Sequence, residues 1–126
     1  MAENACRVCG RPGDKHHIVH REEGGIDFPL NVIYLCREHH SGRHGPHRDP
    51  ETDLLYKKEM HDSLVRMFDR NYYTKQEIQE LTKVTNSTLL SLSKALRKHK
   101  EGYLNIDIIF YLMSGFVIKD EEYTDI

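Results

Sequence analysis

Three cysteines cannot pair fully within one chain of 126 residues. Met1 to Asn4 carry no apolar export segment. The odd count therefore points to metal binding, away from a disulfide framework and from secretion. A long hydrophobic run is also missing. The longest apolar stretch, Ile106 to Ile118, is interrupted by Asp107, Ser114 and Gly115. It is too short and too polar to cross a bilayer, so no membrane association is expected. There is no internal repeat, no low-complexity tract and no large excess of one charge. Residues 1–50 are balanced, 51–101 carry a net +2 and 102–126 carry −4, for −2 in all. That balance neither suggests nor excludes a nucleic-acid partner. The acidic last stretch is expected to stay off DNA.

What is present is a globular composition, 38% hydrophobic and 30% charged, too apolar for a disordered chain. The length suits one small domain or two very small ones. Nine residues are histidine, and seven of them lie from His16 to His47. That density, beside three cysteines, marks the first fifty residues as a metal-binding module.

Residues 1–50 are poor in aliphatic side chains. Two short strand-like runs, His16 to His20 and Val32 to Cys36, flank turn material from Glu22 to Pro29. Arg37-Glu38-His39-His40 starts a short helix that Gly42, Gly45 and Pro46 limit. So thin a core needs a staple. Asp49-Pro50 then opens a different pattern. Asp49 is a helix cap with Pro50 at the first helical position. Leu54, Leu55, Met60, Leu64, Val65 and Phe68 predict one amphipathic helix over Pro50 to Asp69. Thr74 and Glu77 have capping-box spacing ahead of a short helix to Lys83. A longer helix is predicted over Ser87 to Lys100, and a last one, apolar nearly all round, over Ile108 to Gly115. The expected organisation is a module at 1–50, a connecting helix at 51–70 and a helical region at 71–126, about four helices in all.

The cysteines have zinc-ligand spacing. Cys6 and Cys9 form a Cys-x-x-Cys pair, and Cys36 and His39 a Cys-x-x-His pair. Two intervening residues let both donors of a pair reach one ion. Two pairs complete a tetrahedral shell, for which zinc is the expected occupant and a structural role the expected use. A redox Cys-x-x-Cys normally opens a helix after a buried strand. Gly10, Pro12 and Gly13 follow this pair instead. His40 and His44 are four apart, so on one helix they share a face and can bind a second ion. A third nitrogen must come from elsewhere, and His16-His17 is the nearest candidate. Three histidines leave open positions on a metal, the condition for catalysis.

The order Cys6-x-x-Cys9, His16-His17-Ile18, Gly24-Gly25, Leu30-Asn31, Leu35-Cys36-x-x-His39-His40, His44 resembles an HNH nuclease of the ββα-metal class, over about residues 5–50. Many members, phage and mobile-element proteins among them, carry a fourth cysteine where this chain has His39, which is also a good zinc ligand. The resemblance implies an α+β fold, a zinc-stabilised ββα module followed by helices. It implies DNA as substrate, in a bacterial or phage-infected cytoplasm. It implies His17 as general base, Asn31 as the residue that fastens the inter-strand loop, and His16, His40 and His44 as ligands of a catalytic divalent ion. Three nitrogen ligands favour late transition metals such as Ni²⁺ or Zn²⁺, while abundance favours Mg²⁺ or Mn²⁺. Imidazole titrates near neutral pH and suits the removal of a proton from water. A cation stabilises the leaving 3′ oxygen. The implied products are a 5′-phosphate and a 3′-hydroxyl. One site nicks one strand, and a double-strand break takes two, as in a homodimer.

One tension remains within this reading. In a regular strand His16 and His20 share a face while His17 points away. A strand end, bulge or strong twist is needed to bring base and ligand to one site. If the strand is regular, His16 and His20 pair and His17 is structural. His47 follows Gly45-Pro46 and is a candidate substitute ligand, phosphate contact or surface residue, with the last two favoured. Arg43 and Arg48 flank the metal helix as candidate phosphate contacts. Lys75 to Lys100 has helix–turn–helix rhythm, with Lys94, Arg97 and Lys98 as candidate DNA contacts. Gln79 and Lys83 depart from the small residue and glycine such motifs prefer. Tyr72, Tyr73, Tyr103 and Tyr111 are read as packing residues before base-stacking ones. The competing class is a non-catalytic, zinc-stabilised DNA-binding regulator. A small adaptor with a zinc module is a third, and it gives the histidines no task.

Overall fold

The computed structural model describes residues 3–118. The acidic residues 119–126, with most of the negative tail, lie outside the described residues. The protein is a small α+β chain, an N-terminal hairpin-and-helix module followed by helices. Strand β1 (Asp14–His17) pairs antiparallel with β2 (Val32–Leu35), Asp14 opposite Leu35 and His17 opposite Val32. Helix α1 (Arg37–Ser41) follows at once. The inter-strand segment holds two 3-10 turns, Arg21–Glu23 and Pro29–Asn31. β1 is shifted from the predicted His16 to His20, because the chain turns away from β2 after His17.

Helix α2 (Pro50–Met67) begins as its sequence predicts. Asp49 Oδ1 accepts from the Glu51 amide at 3.0 Å, and Pro50 takes the first helical position. Beyond it the chain forms β3 (Tyr72–Tyr73), α3 (Lys75–Thr82), α4 (Asn86–Ala95), β4 (Lys98–His99), β5 (Gly102–Leu104) and α5 (Asn105–Leu112). The capping box at α3 is formed, Thr74 Oγ1 accepting from the Glu77 amide and Glu77 Oε1 from the Thr74 amide. The helix predicted over Ser87 to Lys100 stops at Ala95, where Leu96 turns extended. Its last residues join a three-stranded sheet of order β3-β5-β4. The last helix starts three residues earlier than predicted, at Asn105. Four helices lie in this half among the described residues, as expected, but the sheet is not legible in the sequence. Strands of two or three residues are too short to display alternation.

One apolar cluster runs through the described residues. Leu35 and Phe28 belong to it from the module, Met60 and Leu64 from α2, Ile78 and Leu92 from α3 and α4, and Leu112 from α5. Tyr73 and Tyr103 are buried in it, which leaves neither free to stack on a base. No described helix is long and apolar enough to cross a membrane.

Candidate functional site

Cys6 lies in a tight turn, its carbonyl accepting from the Gly10 amide at 2.8 Å. Cys36 is the N-cap of α1 and places His39 within the first helical turn. The four donors converge. Cys9 Sγ lies 3.7 Å from Cys36 Sγ, and His39 Nδ1 lies 3.3 Å from Cys36 Sγ and 3.6 Å from Cys6 Sγ. Tetrahedral ligands at ~2.3 Å from zinc stand about 3.8 Å apart, so these separations fit the ion. None of the three cysteines is in a disulfide. Burial opposes thiolate formation at Cys6, but amides around it and His39 outweigh burial and bring its pKa to about 6. Arg11, with Nε 3.3 Å from Cys9 Sγ, lowers the Cys9 pKa. A cluster of three thiols and one imidazole in this geometry suits a structural zinc.

The second cluster lies on the other side of α1. His16 is 2% exposed, and its Nε2 has no hydrogen-bond partner among the described residues. Burial first, then the imidazoles of His40, His47, His20 and His17, push its pKa down to about 3. It is therefore neutral at pH 7, the state a metal ligand needs. His40 Nε2 and His47 Nε2 face each other at 2.9 Å. Nitrogens of His16, His40 and His47 all lie within 4.8 Å of one another. His16 with His20 and Asp53, and His20 with Glu22 and His47, make two overlapping groups of the same kind, and a buried unpartnered nitrogen among such donors suits a divalent cation.

His44 is not part of this cluster. Its side chain is 82% exposed and reaches only Asp49, at 3.9 Å. The expected i, i+4 pairing with His40 requires α1 to continue, but Gly42 ends the helix in an extended conformation. The chain then turns through Gly45, whose amide donates to the Gly42 carbonyl and whose carbonyl accepts from the Asp49 amide. A Cβ on Gly45 would stand 2.5 Å from the His40 carbonyl oxygen, so only glycine allows this return. The turn brings the exposed His47 to His40, a placement that favours its use as a substitute ligand over a phosphate contact. In a titration with Co²⁺ or Ni²⁺, His47→Ala is expected to weaken binding of the second ion by ~100-fold or more, beyond the range for outer-shell partners. His44→Ala should leave binding unchanged. The reverse ranking would discard this ligand set.

His17 points to the opposite face of β1 from His16, as strand geometry requires. Both still line one small cleft of about 180 Å³, with Lys15, His20, His40 and His47, because β1 ends at His17. His17 Nε2 lies 2.9 Å from Asp27 Oδ1. Lys15, at 3.0 Å, and then His17 hold the Asp27 pKa down. An ionised carboxylate only accepts, so Nε2 carries a proton, and in the neutral ring Nδ1 is then the acceptor. Asn31 is fully buried, its Oδ1 accepting from the Val19 amide and its Nδ2 donating to the Val19 and Ile26 carbonyls. It thereby ties together the loop between the strands. Arg43 and Arg48 are exposed beside the α1 turn, and Lys94, Arg97 and Lys98 are exposed on α4 and the segment after it.

Two acidic residues, Asp27 and Asp53, escaped the sequence reading. Neither sits at a recognisable spacing, and Asp53 comes from a different helix. Asp53 Oδ1 lies 2.9 Å from His20 Nε2, and its Oδ2 accepts from Lys57 Nζ at 2.8 Å. Lys57 also donates to Glu23 at 3.0 Å, and its ammonium lies over the Phe116 ring. Its side chain is 2% exposed, so the helical half is joined to the histidine loop by a buried ion network. Lys57→Met is expected to cost about 3 kcal/mol of unfolding free energy, near the low end for breaking a buried pair because Glu23 can turn to water. Urea titration checks this, and a cost under about 0.5 kcal/mol would mean the network adds little.

A zinc-type frame embedded in a β-hairpin and helix, with a histidine cleft beside it, defines the ββα-metal class. Residues 6–45 match the family model described as HNH endonuclease. This segment is an HNH domain. The match contains the four frame residues, His16, His17, Asn31, His40 and His44, and ends before His47. No curated protein and no solved structure matches the chain.

Proposed function

We propose that the protein is a metal-dependent endonuclease that hydrolyses DNA phosphodiester bonds in the histidine cleft. The observation that supports this most is the buried His16, with an unpartnered Nε2, grouped at metal-ligand spacing with His40 and His47 beside the His17–Asp27 pair. A divalent ion held by these three residues would supply Lewis-acid stabilisation of the phosphate and of the leaving 3′ oxygen. His17 Nδ1 takes the proton of the attacking water. Asp27 keeps the ring in that tautomer and stabilises the imidazolium that forms, as a carboxylate does behind a catalytic histidine. The water oxygen bonds to phosphorus as the bond to the 3′ oxygen breaks. That oxygen takes a proton from solvent, which leaves a 5′-phosphate and a 3′-hydroxyl. Asn31 holds the loop between His17 and Asp27 in place. Arg43 and Arg48, exposed beside the cleft, engage flanking phosphates. Residues 1–50 carry the chemistry, 51–70 brace the cleft through Asp53 and Lys57, and 71–126 serve another purpose.

A non-catalytic regulator would need the zinc frame alone. It leaves the orphaned nitrogen of His16 and the His17–Asp27 pair without a use. Zinc-loaded protein incubated with supercoiled plasmid and Mg²⁺, Mn²⁺ or Ni²⁺ is expected to yield nicked circles between pH 6 and 9. Absence of metal-dependent nicking across that range would favour the regulator.

A further inference from the structure

We propose that α2 to β5 form a winged-helix unit that binds duplex DNA through α4 and the β4–β5 hairpin, independently of the cleavage site. The chain order is helix, strand, helix, helix, strand, strand (α2, β3, α3, α4, β4, β5), and the sheet order is β3-β5-β4. The first strand thus pairs with the third, and the last two form a hairpin directly after the second helix of the α3–α4 pair. That combination separates a winged helix from an ordinary helical hairpin, which needs no sheet.

The α3–α4 turn has the required geometry despite its residues. Lys83 is left-handed, with φ 62°, where such turns favour glycine. Gln79 offsets this departure. Its Nε2 donates to the Val84 carbonyl at 3.2 Å and to Asn86 Oδ1 at 2.7 Å, clamping the turn from the preceding helix. Ile78, Thr82, Val84 and Leu92 are buried beneath it. Gly102 seats the hairpin on β3. A Cβ there would lie 2.5 Å from the Tyr73 carbonyl oxygen.

The outward face of α4 presents Asn86, Ser87, Leu90, Ser91 and Lys94 to solvent. Polar, short side chains at the start of such a helix suit base edges in a major groove. Residues 75–101 hold six Lys or Arg against three Glu. None of Lys75, Lys83, Lys94, Arg97, Lys98 and Lys100 forms an ion pair among the described residues. Arg7, Arg11, Lys15, Lys57 and Arg70 do, while Arg21, Arg37, Arg43, Arg48, Lys58 and Arg66, spread over the rest of the described residues, likewise form none. Positive charge is therefore held free at the helix end and the hairpin, where a winged helix meets the phosphate backbone. A duplex polyanion is the occupant whose charge and groove fit both elements.

The test uses the full zinc-loaded chain carrying His17→Ala, so that binding is read without cleavage. A labelled mixed-sequence duplex is titrated by fluorescence anisotropy at several salt concentrations. The triple variant Lys94→Glu, Lys98→Glu, Lys100→Glu is expected to lower affinity at least ~10-fold at low salt. It should also reduce the slope of log K against log salt by about 0.9 for each phosphate that is no longer neutralised. Its melting temperature should not move, because none of the three side chains is buried. Arg66→Glu, exposed on α2 and part of neither α4 nor the hairpin, should change affinity by less than about twofold if the interaction is local. Unchanged affinity and slope in the triple variant would overturn the proposal. So would an equal loss per charge in Arg66→Glu, or tighter binding of the single strand than of the duplex. A chain that binds this way and never nicks plasmid would keep the proposal and discard only the nuclease reading.

Discussion

His17→Ala is expected to lower the rate of plasmid nicking by about 10²–10⁴-fold, the usual contribution of a positioned general base. The ring lies on the rim of the histidine cleft. Its Nε2 is held by Asp27, which leaves Nδ1 as the ring nitrogen able to accept a proton. Its side chain is not part of the ligand cluster, so zinc content and the affinity of the second ion should be unchanged in the variant. Asp27→Asn should act in the same direction but less strongly, because Asp27 is 54% exposed and water can replace it. Agarose-gel rates at saturating metal, beside metal analysis of the same preparations, check both. Full activity in His17→Ala with normal metal content would remove His17 from the mechanism. Loss of the second ion in that variant would instead make it a ligand.

Disruption of the zinc frame is expected to unfold the N-terminal module outright. Structural zinc contributes ~10–16 kcal/mol of apparent binding free energy to a fold of this kind. The module has few core residues of its own, with Leu35, Phe28, Ile18 and Val19 carrying most of it. Cys36→Ser removes a ligand whose position also starts α1, and α1 carries both His39 and His40. Loss of this one thiolate therefore breaks the frame and displaces the second cluster together. Amide resonances of residues 3–50 should collapse in the variant, and plasmid nicking should vanish with them. The two ions should also differ in exchange. The four-donor frame should resist mild chelation, while an ion on His16, His40 and His47, in an open cleft, should leave readily. A Cys36→Ser protein that melts like the parent would show that the frame does not hold the fold.

The frame was legible because local turns place each of its ligand pairs. Cys6 and Cys9 share one tight turn, and Cys36 and His39 share one helical turn, so spacing alone assigns the donors. The same holds for the caps at Asp49 and Thr74, which depend on neighbours within three residues. The second cluster was legible only in part. The structure groups His16 with His40, but which further imidazole joins them depends on where α1 stops. A continuous helix would have delivered His44. Gly42 ends it, and the return through Gly45 delivers His47 instead.

The sequence by itself determined the candidate zinc frame of Cys6, Cys9, Cys36 and His39, the start of α2 and of α3, and the placement of Asn31 between the strands. These rest on interactions a few residues apart or on pairs whose chemistry permits one partner. Tertiary structure alone decided the rest. It brought Asp53 of α2 to His20, buried Lys57 between two carboxylates, set Asp27 against His17 and added three short strands around α3 and α4. Each of those pairings spans a turn or a helix whose end sets the partner. A shift of one residue at such an end moves a side chain by about 100° on a helix or to the opposite face on a strand. Composition and spacing do not carry that precision, and packing supplies it.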